Sequence, residues 1–271
     1  MKIKNVKYVV ASIIAALLVS VSWSMIGFSQ AKIETADLSF KGNANKEVFV
    51  LGEPITVGFE IFNKGETAVE VHKGGVETGF LKVFIAEQDG EYKQYNGYGW
   101  GRILGRMSDL LPKQSQKYKE IEILYQGKIE VSHLNERAAK DKLKGKITTE
   151  YAFPEPGVYF IKGLSYFGKN GTPIESEPVK VVVKEPVGED LEVWNQIKGN
   201  AEIALLLQND GFNTGKDTEK ESLINQVEQI IEKYPNSIYS GYLKLNLEEY
   251  KAKEVKRNEF YKNIKQAQKP E

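Results

Sequence analysis

The spacing of apolar residues changes once along this 271-residue chain. From residue 38 to about 185, apolar and polar residues mostly alternate, which is typical of strands that bury one face. Beyond residue 185 the apolar residues recur at helical spacing, which predicts amphipathic helices. The fold class predicted is mainly β plus α, an antiparallel β-sandwich over 32–185 followed by a small C-terminal helical bundle over 186–271.

The clearest alternation is in "LGEPITVGFEIFNKGETAVEV", residues 51–71, where one face is predicted to be buried: Ile55, Val57, Phe59 and Ile61. Asp89-Gly90 is expected to form the tight turn of a hairpin. Seven or eight short strands separated by turns indicate an antiparallel sandwich. A polar insert, "HLNERAAKDKLKGK" (133–146), predicts a short helix on a loop.

Two segments carry a resemblance to bacterial immunoglobulin-like domains. Residues 51–71 resemble the opening of such domains, and "PGVYFIKGLSY" (156–166) resembles their penultimate strand, with Tyr159 beneath the Pro156-Gly157 turn. The order "IFNKGETAVEV … FIAEQDGEY … LLPKQSQKY … PGVYFIKG" is also similar to that in the intracellular proteinase inhibitor family of bacilli. The resemblance covers about 38–185 and implies an antiparallel immunoglobulin-like β-sandwich. Where that family has Pro-Gly-Glu/Asp this chain has "PKQS", so no inhibitory loop carries over residue by residue.

The helical region begins with a predicted buried face of six residues: Leu191, Trp194, Ile197, Ala201, Ala204 and Leu205. Thr218 and Glu221 form a capping-box pattern that predicts the start of the next helix. Pro235 ends that helix, and Ser237 starts another with these residues inward: Tyr239, Tyr242, Leu243, Leu247 and Tyr250.

"IIEKYPNSIYSGYLKLNLEEY" (230–250) resembles the junction of tetratricopeptide-type repeats in bacterial envelope proteins. This implies a tetratricopeptide-like region that either docks on the sandwich or is completed by a bound partner, since one repeat cannot bury its own apolar face. Tyr239, Tyr242 and Tyr250 are therefore the candidate partner-binding residues.

The first 31 residues have the order of a secretory signal peptide. Three lysines precede an apolar run, and "SQA" supplies small residues for cleavage near Ala31. We expect an extracytoplasmic protein, periplasmic or secreted. The alternative is an uncleaved N-terminal membrane anchor, since the run approaches the roughly 18 residues that span a bilayer.

Composition removes several classes of function. The chain has no cysteine, which excludes thiol catalysis, thiolate zinc sites and iron–sulfur clusters. Without the three signal lysines, 34 of the 37 basic residues remain against 37 acidic ones, so no nucleic-acid partner is predicted. Neither histidine, His72 or His133, lies in a catalytic motif, and no cofactor-binding or metal-binding motif is present. The chain is therefore predicted not to be an enzyme and to bind no cofactor or metal.

One loop has the composition of a binding site. In "EYKQYNGYGWGRILGR" (91–106) the candidate ligand-binding residues are Tyr95, Tyr98, Trp100 and Arg102. Aromatic rings on a glycine-rich loop can stack on sugars or clamp a peptide, whereas the simpler interpretation is that they close the sandwich core.

The predicted function is a secreted or periplasmic non-enzymatic interaction protein. Its β-sandwich would form a platform, and its helical tail would bind an envelope or extracellular protein. The alternatives are a carbohydrate-binding accessory module that binds cell-wall glycan through the Tyr95–Trp100 loop, and an extracellular protease inhibitor.

Overall fold

The structure is a computed structural model that describes residues 37–96, 107–128, 148–168, 171–208, 211–212 and 217–267. The strands, in chain order, are β1 (Leu38–Ala44), β2 (Val48–Val50), β3 (Ile55–Asn63), β4 (Val69–His72), β5 (Lys82–Glu87), β6 (Lys93–Gln94), β7 (Met107–Leu110), β8 (Ser115–Lys117), β9 (Ile121–Ile123), β10 (Tyr125–Lys128), β11 (Thr148–Tyr151), β12 (Gly157–Phe167), β13 (Thr172–Glu175) and β14 (Val179–Lys184). The helices are α1 (Glu189–Ile197), α2 (Ala201–Leu207), α3 (Asp217–Lys233) and α4 (Ile238–Ala267). The predicted signal peptide and the predicted helix of the polar insert lie outside the described residues.

The strands form two larger sheets and a two-stranded ribbon. In the first sheet β3 pairs with β1 along one edge and with β8 and β9 along the other. In the second sheet β12 is central, with β14 and β13 along one edge and β5 and β4 along the other. β2 extends that sheet in parallel to β14, β6 and β7 extend it beyond β5 and β4, and β10 pairs with β11. Apart from the β2–β14 pair, all of these pairings are antiparallel.

The two larger sheets pack face to face across a largely apolar core. The predicted face of β3 is confirmed, because its four apolar side chains are each at most 2% exposed. Gly163 on β12 lies so close to β3 that a Cβ atom there would fall 2.6 Å from the Phe59 ring. Tyr118, just after β8, shares a 2.7 Å hydrogen bond with the Ser165 hydroxyl on β12, so these two buried hydroxyls satisfy each other.

The turn that precedes β12 is closed by the tyrosine predicted to lie beneath it. The Tyr159 ring is 2% exposed, and its hydroxyl donates a 2.7 Å hydrogen bond to the backbone carbonyl of Glu155. The β5–β6 turn also matches its prediction, since Asp89 has a φ of 65° and the Gly90 amide donates to the Glu87 carbonyl at 3.0 Å.

The first predicted helix is two helices, and one of its predicted core residues is wrong. The chain breaks between α1 and α2, where the Asn200 side chain accepts hydrogen bonds from the amides of Glu202 (3.1 Å) and Ile203 (3.3 Å). Because the two helices have separate axes, apolar spacing cannot be counted across the break. Leu191 is 41% exposed, while the buried face of α1 is formed by Val193, Trp194 and Ile197.

The helix boundaries around Pro235 are as predicted, whereas α3 already begins at Asp217, so Thr218 lies inside the helix and not at its N-cap. α3 ends at Lys233, two residues before Pro235, and α4 begins at Ile238, directly after Ser237. The α4 N-terminus is capped by a side chain from α1, because the Asp190 carboxylate accepts from the Ile238 amide at 2.8 Å and from the Ser237 hydroxyl at 2.9 Å. The positive end of the helix dipole, at the N-terminus, also stabilises a carboxylate at this position.

The helices dock on the sandwich, with which they share one compact unit. The Trp194 ring of α1 lies between Tyr151 of β11, at 5.1 Å, and Tyr239 of α4, at 6.1 Å. The Tyr239 hydroxyl donates to the Leu51 carbonyl, just after β2. Gln208, after α2, donates to the Glu122 carbonyl of β9 at 3.0 Å. Of the two arrangements left open by the sequence, the structure has the docked one.

Candidate functional site

The predicted ligand-binding loop is described only at its start. Tyr98, Trp100 and Arg102 lie outside the described residues. Tyr95 is 3% exposed, and its hydroxyl accepts a 3.0 Å hydrogen bond from the Gln208 side-chain amide. A ligand that stacks on tyrosine needs an accessible ring face, and in this structure Tyr95 packs between the sandwich and α2 instead.

The three tyrosines predicted to bind a partner make contacts inside the chain. Tyr239 is fully buried and bonds to the sandwich backbone, and burial is the main reason that its pKa is raised far above the ordinary value for tyrosine. Tyr242 donates to Glu53 at 2.9 Å, and its pKa is also raised, chiefly by burial and then by that carboxylate. The half-buried Tyr250 ring meets Phe212 edge to face at 5.1 Å. These rings hold the helices to the sandwich and to one another.

Glu53 is a buried charge whose role in this structure is structural. Its residue exposure is 2%, yet its carboxylate accepts from the Val50 amide (3.0 Å) and the Tyr242 hydroxyl (2.9 Å) and forms an ion pair with Lys46 (2.5 Å). A buried carboxylate is tolerated when it is paired and hydrogen-bonded in this way. The sequence places Glu53 in a Gly-Glu turn, but only the fold shows that α4 supplies one of its donors.

A cleft of about 610 Å³ opens at one end of the sandwich, beside the β5–β6 hairpin. Its floor is formed by side chains that are largely buried: Ile85, Tyr95, Ala152 and Tyr159, with half-buried Tyr151 beside them. Its rim carries four exposed charged residues: Glu87, Glu91, Lys93 and Glu150. Among the described residues, none of these four side chains forms a hydrogen bond or ion pair.

The second half of α4 extends beyond the packed body. α4 contains 30 residues, and among those up to residue 264, whose burial the structure describes, the last buried side chain is that of Leu247. Beyond Tyr250 it carries large apolar side chains that are more than half exposed: Val255 (57%), Phe260 (61%) and Tyr261 (55%). We call residues 251–264 the distal segment of α4.

The apolar side of the distal segment repeats the docked side of the same helix. Eighteen residues separate Tyr242 from Phe260 and Leu243 from Tyr261, and Ile264 follows Asn246 at the same interval. At 3.6 residues per turn this interval is five full turns, so each pair shares one direction from the helix axis. The face that packs on the sandwich and α2 in the first half of α4 therefore reappears uncovered in the second half.

The distal segment is also basic. It contains five lysine or arginine residues and two glutamates. Three of the cations have carboxylate partners within 2.8 Å: Lys251 with Glu228, Lys253 with Glu249, and Arg257 with Glu254. Within the described part of the chain, Lys256 and Lys262 form no ion pair.

His72 ends β4, and burial lowers its pKa below the ordinary value for histidine. Its ring stacks on Phe80 at 3.8 Å, and its Nδ1 atom has no hydrogen-bond partner. His133 lies outside the described residues. The described residues contain no cluster of acidic and histidine side chains suited to a metal ion. In the same part of the chain, no helix is both long and apolar enough to cross a bilayer.

Comparisons with known proteins leave the family open. No protein-family model matches the chain, and no curated protein matches it. A β-glucosidase of Erythrobacter marinus is similar over 54% of this chain and 15% of its own, at 10% identity and a TM-score of 0.29. Sporulation control protein Spo0M of Bacillus subtilis is similar over 60% of this chain and 55% of its own, at 7% identity and a TM-score of 0.32.

The CARDB domain of the PF1109 protein of Pyrococcus furiosus is similar over 55% of this chain and 87% of its own, at 13% identity and a TM-score of 0.25. The chain spans 15% and 55% of the first two proteins, and likenesses of this strength carry no argument about function. The resemblances to immunoglobulin-like and tetratricopeptide domains stay predictions.

Proposed function

We propose that this protein is a non-enzymatic interaction protein of the cell envelope or exterior, and that it binds an acidic protein surface through the distal segment of α4. In this proposal the sandwich and the first half of the helical region form the rigid support. The observation that carries it is the reappearance of the docked face of α4 in the distal segment, where Phe260 and Tyr261 are exposed and Ile264 is half-buried.

Continuity with the internal interface supports a protein partner. Tyr242 and Leu243 pack against the body of this protein. Phe260 and Tyr261 lie on the same side of the helix but are exposed to solvent. Burying large aromatic side chains in a second surface is favourable, because it removes their apolar area from water. Aromatic residues that fill pockets on a partner are the side chains that dominate the energy of protein interfaces.

Charge complementarity supports an acidic partner. The distal segment has a net charge of three positive units, and Lys256 and Lys262 have no internal carboxylate partner in the described chain. A partner with acidic residues around an apolar groove would cover the aromatic side and pair with these lysines. The location is part of the proposal, since it depends on the signal peptide predicted at the N-terminus.

The internal architecture supports an immunoglobulin-like class for the sandwich. Two antiparallel sheets pack face to face, and the Tyr159 hydroxyl bonds back to the Glu155 carbonyl at 2.7 Å. A tyrosine that bonds to the backbone a few residues upstream, at a corner between strands, recurs in immunoglobulin-like sandwiches. Such a support would hold the distal segment of α4 at a constant distance from the sandwich.

Site-specific photocrosslinking tests the proposal. A benzophenone amino acid is placed at Phe260 in one sample and at Leu245 in another, and each is exposed to the envelope fraction of the source organism. Leu245 is the matched control, because it is 64% exposed on the docked half of the same helix. We expect one protein adduct from position 260 that is absent from position 245.

The test is completed by measuring the affinity of this protein and its variants for the purified protein that was crosslinked. We expect Phe260→Ala/Tyr261→Ala to weaken binding at least about tenfold, Leu245→Ala to leave it unchanged, and higher salt to weaken it, as for charged interfaces. Equal crosslinking from both positions would overturn the proposal. Retention of the chain by anionic lipid vesicles, lost in the double variant, would overturn it in favour of a membrane surface.

The carbohydrate-binding and protease-inhibitor alternatives stay predictions. The first depends on Tyr98, Trp100 and Arg102, which lie outside the described residues, and on Tyr95, which is buried. The second depends on a family resemblance that carries no inhibitory loop into this chain.

A further inference from the structure

We infer that the cleft beside the β5–β6 hairpin is a binding site for an organic cation with an aliphatic stem, of the lysine or arginine side-chain type. The site is separate from the distal segment of α4, and the inference does not depend on the function proposed above. Three properties of the cleft support it: its shape, its apolar floor and its uncompensated acidic rim.

The cleft has the size of a small-molecule site. Its volume of about 610 Å³ lies within the range of ordinary ligand pockets, roughly 300–1,000 Å³. The register of the hairpin creates the floor, because Ile85 pairs directly with Lys93 and alternation then places Tyr95 on the Ile85 side of the sheet. The rest of the floor includes Tyr151, at the end of β11, and Ala152, directly after it.

The floor is rigid because each of its tyrosines is anchored. The Tyr95 hydroxyl accepts from Gln208, and the Tyr159 hydroxyl donates to the Glu155 carbonyl. The Tyr151 hydroxyl donates to the Lys198 carbonyl, after α1, at 3.1 Å. A floor held by both the sandwich and the helices keeps its shape without a ligand, which reduces the entropy lost on binding.

The rim is acidic and uncompensated. Glu87, Glu91 and Glu150 face one lysine, Lys93, and no ion pair neutralises them within the described chain. The negative electrostatic potential of the rim acts on the floor as well. Burial is the largest cause of the raised pKa of Tyr159, and the Glu87 carboxylate raises that pKa further. Carboxylates at the mouth of a low-dielectric cleft focus their field on a bound cation.

The ligand class follows from the combination of floor and rim. A lysine or arginine side chain buries its methylene stem along apolar surface while its charged end stays near carboxylates and water. In this cleft the stem would lie against Ile85 and Ala152, and the cation would reach Glu87 and Glu150. A bare metal ion would not use the apolar floor, and the described residues contain no cluster suited to hold one.

The test is a titration of the folded chain followed by the amide shifts of Ile85, Lys93, Tyr151 and Ala152 in ¹⁵N–¹H NMR spectra. The probes are N-acetyl-lysine methylamide and N-acetyl-arginine methylamide, with N-acetyl-norleucine methylamide as the neutral analogue of the same shape. Two further arms distinguish the source of the cation: 1,4-diaminobutane stands for a free amine, and a lysine tripeptide stands for a protein side chain.

We expect the cationic probes to shift these amides with a Kd of about 1–10 mM, and the neutral probe to shift them far less. Glu87→Gln and Glu150→Gln should each weaken binding about fivefold, because each removes one partner of the cation. Glu66→Gln is the control, since its side chain is 85% exposed, pairs with Lys113 and is not part of the cleft.

Three results would overturn the assignment. The first is an absence of shifts in the folded chain at about 20 mM of every cationic probe. The second is equal binding of the norleucine probe, or an equal loss of affinity in Glu66→Gln. The third is tighter binding of an N-acetylglucosamine oligomer at the same amides, which would assign the cleft to a saccharide. None of these results affects the crosslinking test at Phe260.

Discussion

The hydroxyl of Tyr242 on α4 donates a hydrogen bond to the Glu53 carboxylate, 2.9 Å away in the turn between β2 and β3. The Glu53 side chain is 0% exposed, and its other partners, Val50 and Lys46, come from the sandwich. α4 therefore supplies one of the hydrogen bonds of a buried charge whose other partners belong to the sandwich. This makes the stability of the sandwich depend on the docked helix.

Removing the Tyr242 hydroxyl should destabilise the protein. We expect Tyr242→Phe to lower the free energy of unfolding by about 2 kcal/mol, because hydrogen bonds to charged groups are worth roughly 1.5–3 kcal/mol. Urea unfolding followed by far-UV circular dichroism measures the change. Tyr261→Phe is the control, because that ring is 55% exposed beyond the docked half of α4. Equal unfolding midpoints for the two variants would contradict the role given to Glu53.

The buried tyrosines should make the protein sensitive to alkali. The pKa values of Tyr239 and Tyr242 are raised in the folded chain, mainly by burial, above the ordinary value of about 10 that applies when the chain is unfolded. Above pH 10 the unfolded chain therefore loses protons that the folded chain keeps, so stability falls as pH rises. We expect a loss of up to about 1.4 kcal/mol per pH unit for each such tyrosine.

Comparing the wild type with Tyr242→Phe isolates one of these groups. The stability difference between them should be constant from pH 7 to about pH 9 and should shrink above pH 10, since phenylalanine has no proton to lose. Urea unfolding at closely spaced pH values measures it. A difference that stays constant to pH 11 would show that Tyr242 titrates at its ordinary pKa in the folded chain.

Local periodicity predicted which residues share a face, and it did so best within single elements. The alternation in β3 and the helical spacing at Tyr239, Leu243 and Leu247 both identified buried side chains. Periodicity cannot say what covers a face, however. The same spacing was compatible with a docked tail and with a tail completed by a partner, and the contacts to Leu51 and Glu53 come from residues almost 190 positions earlier.

Other features depended on contacts that no local pattern encodes. Composition groups Tyr95 with the glycine-rich loop that follows it, whereas the pairing of Ile85 with Lys93 across the hairpin places its side chain on the core side. The cleft joins the β5–β6 hairpin to β11, across a polar insert that hides their proximity in the sequence. The distal face of α4 could have been found by extending the helical count by five turns from Leu243.

The N-cap of α2 should be worth measurable stability. The Asn200 side-chain oxygen satisfies two amides in the first turn of a seven-residue helix whose last five side chains are buried. We expect Asn200→Ala to lower the free energy of unfolding by about 1 kcal/mol. Asn200→Asp keeps the acceptor and should stay close to the wild type. An equal loss in both variants, measured by urea unfolding, would contradict capping as the cause.

The sandwich and the helices approach each other closely at Gly52. Its φ is +82°, and a Cβ atom built on it would fall 2.1 Å from the Trp194 ring of α1. Gly52→Ala therefore adds a steric clash to backbone strain, and Trp194 cannot yield easily because Tyr151 and Tyr239 hold it from both sides. We expect a loss of at least about 3 kcal/mol in the free energy of unfolding.

Gly171→Ala separates the clash from the strain. Gly171 has a φ of +63°, and nothing lies within 4 Å of a Cβ atom built there. That variant should lose only the backbone cost of a left-handed residue, about 1 kcal/mol. If α1 is forced away from Gly52, limited proteolysis should also cut the link between β14 and α1 faster in Gly52→Ala than in Gly171→Ala. Equal losses and equal cleavage rates would mean that Trp194 does not pack against Gly52 in solution.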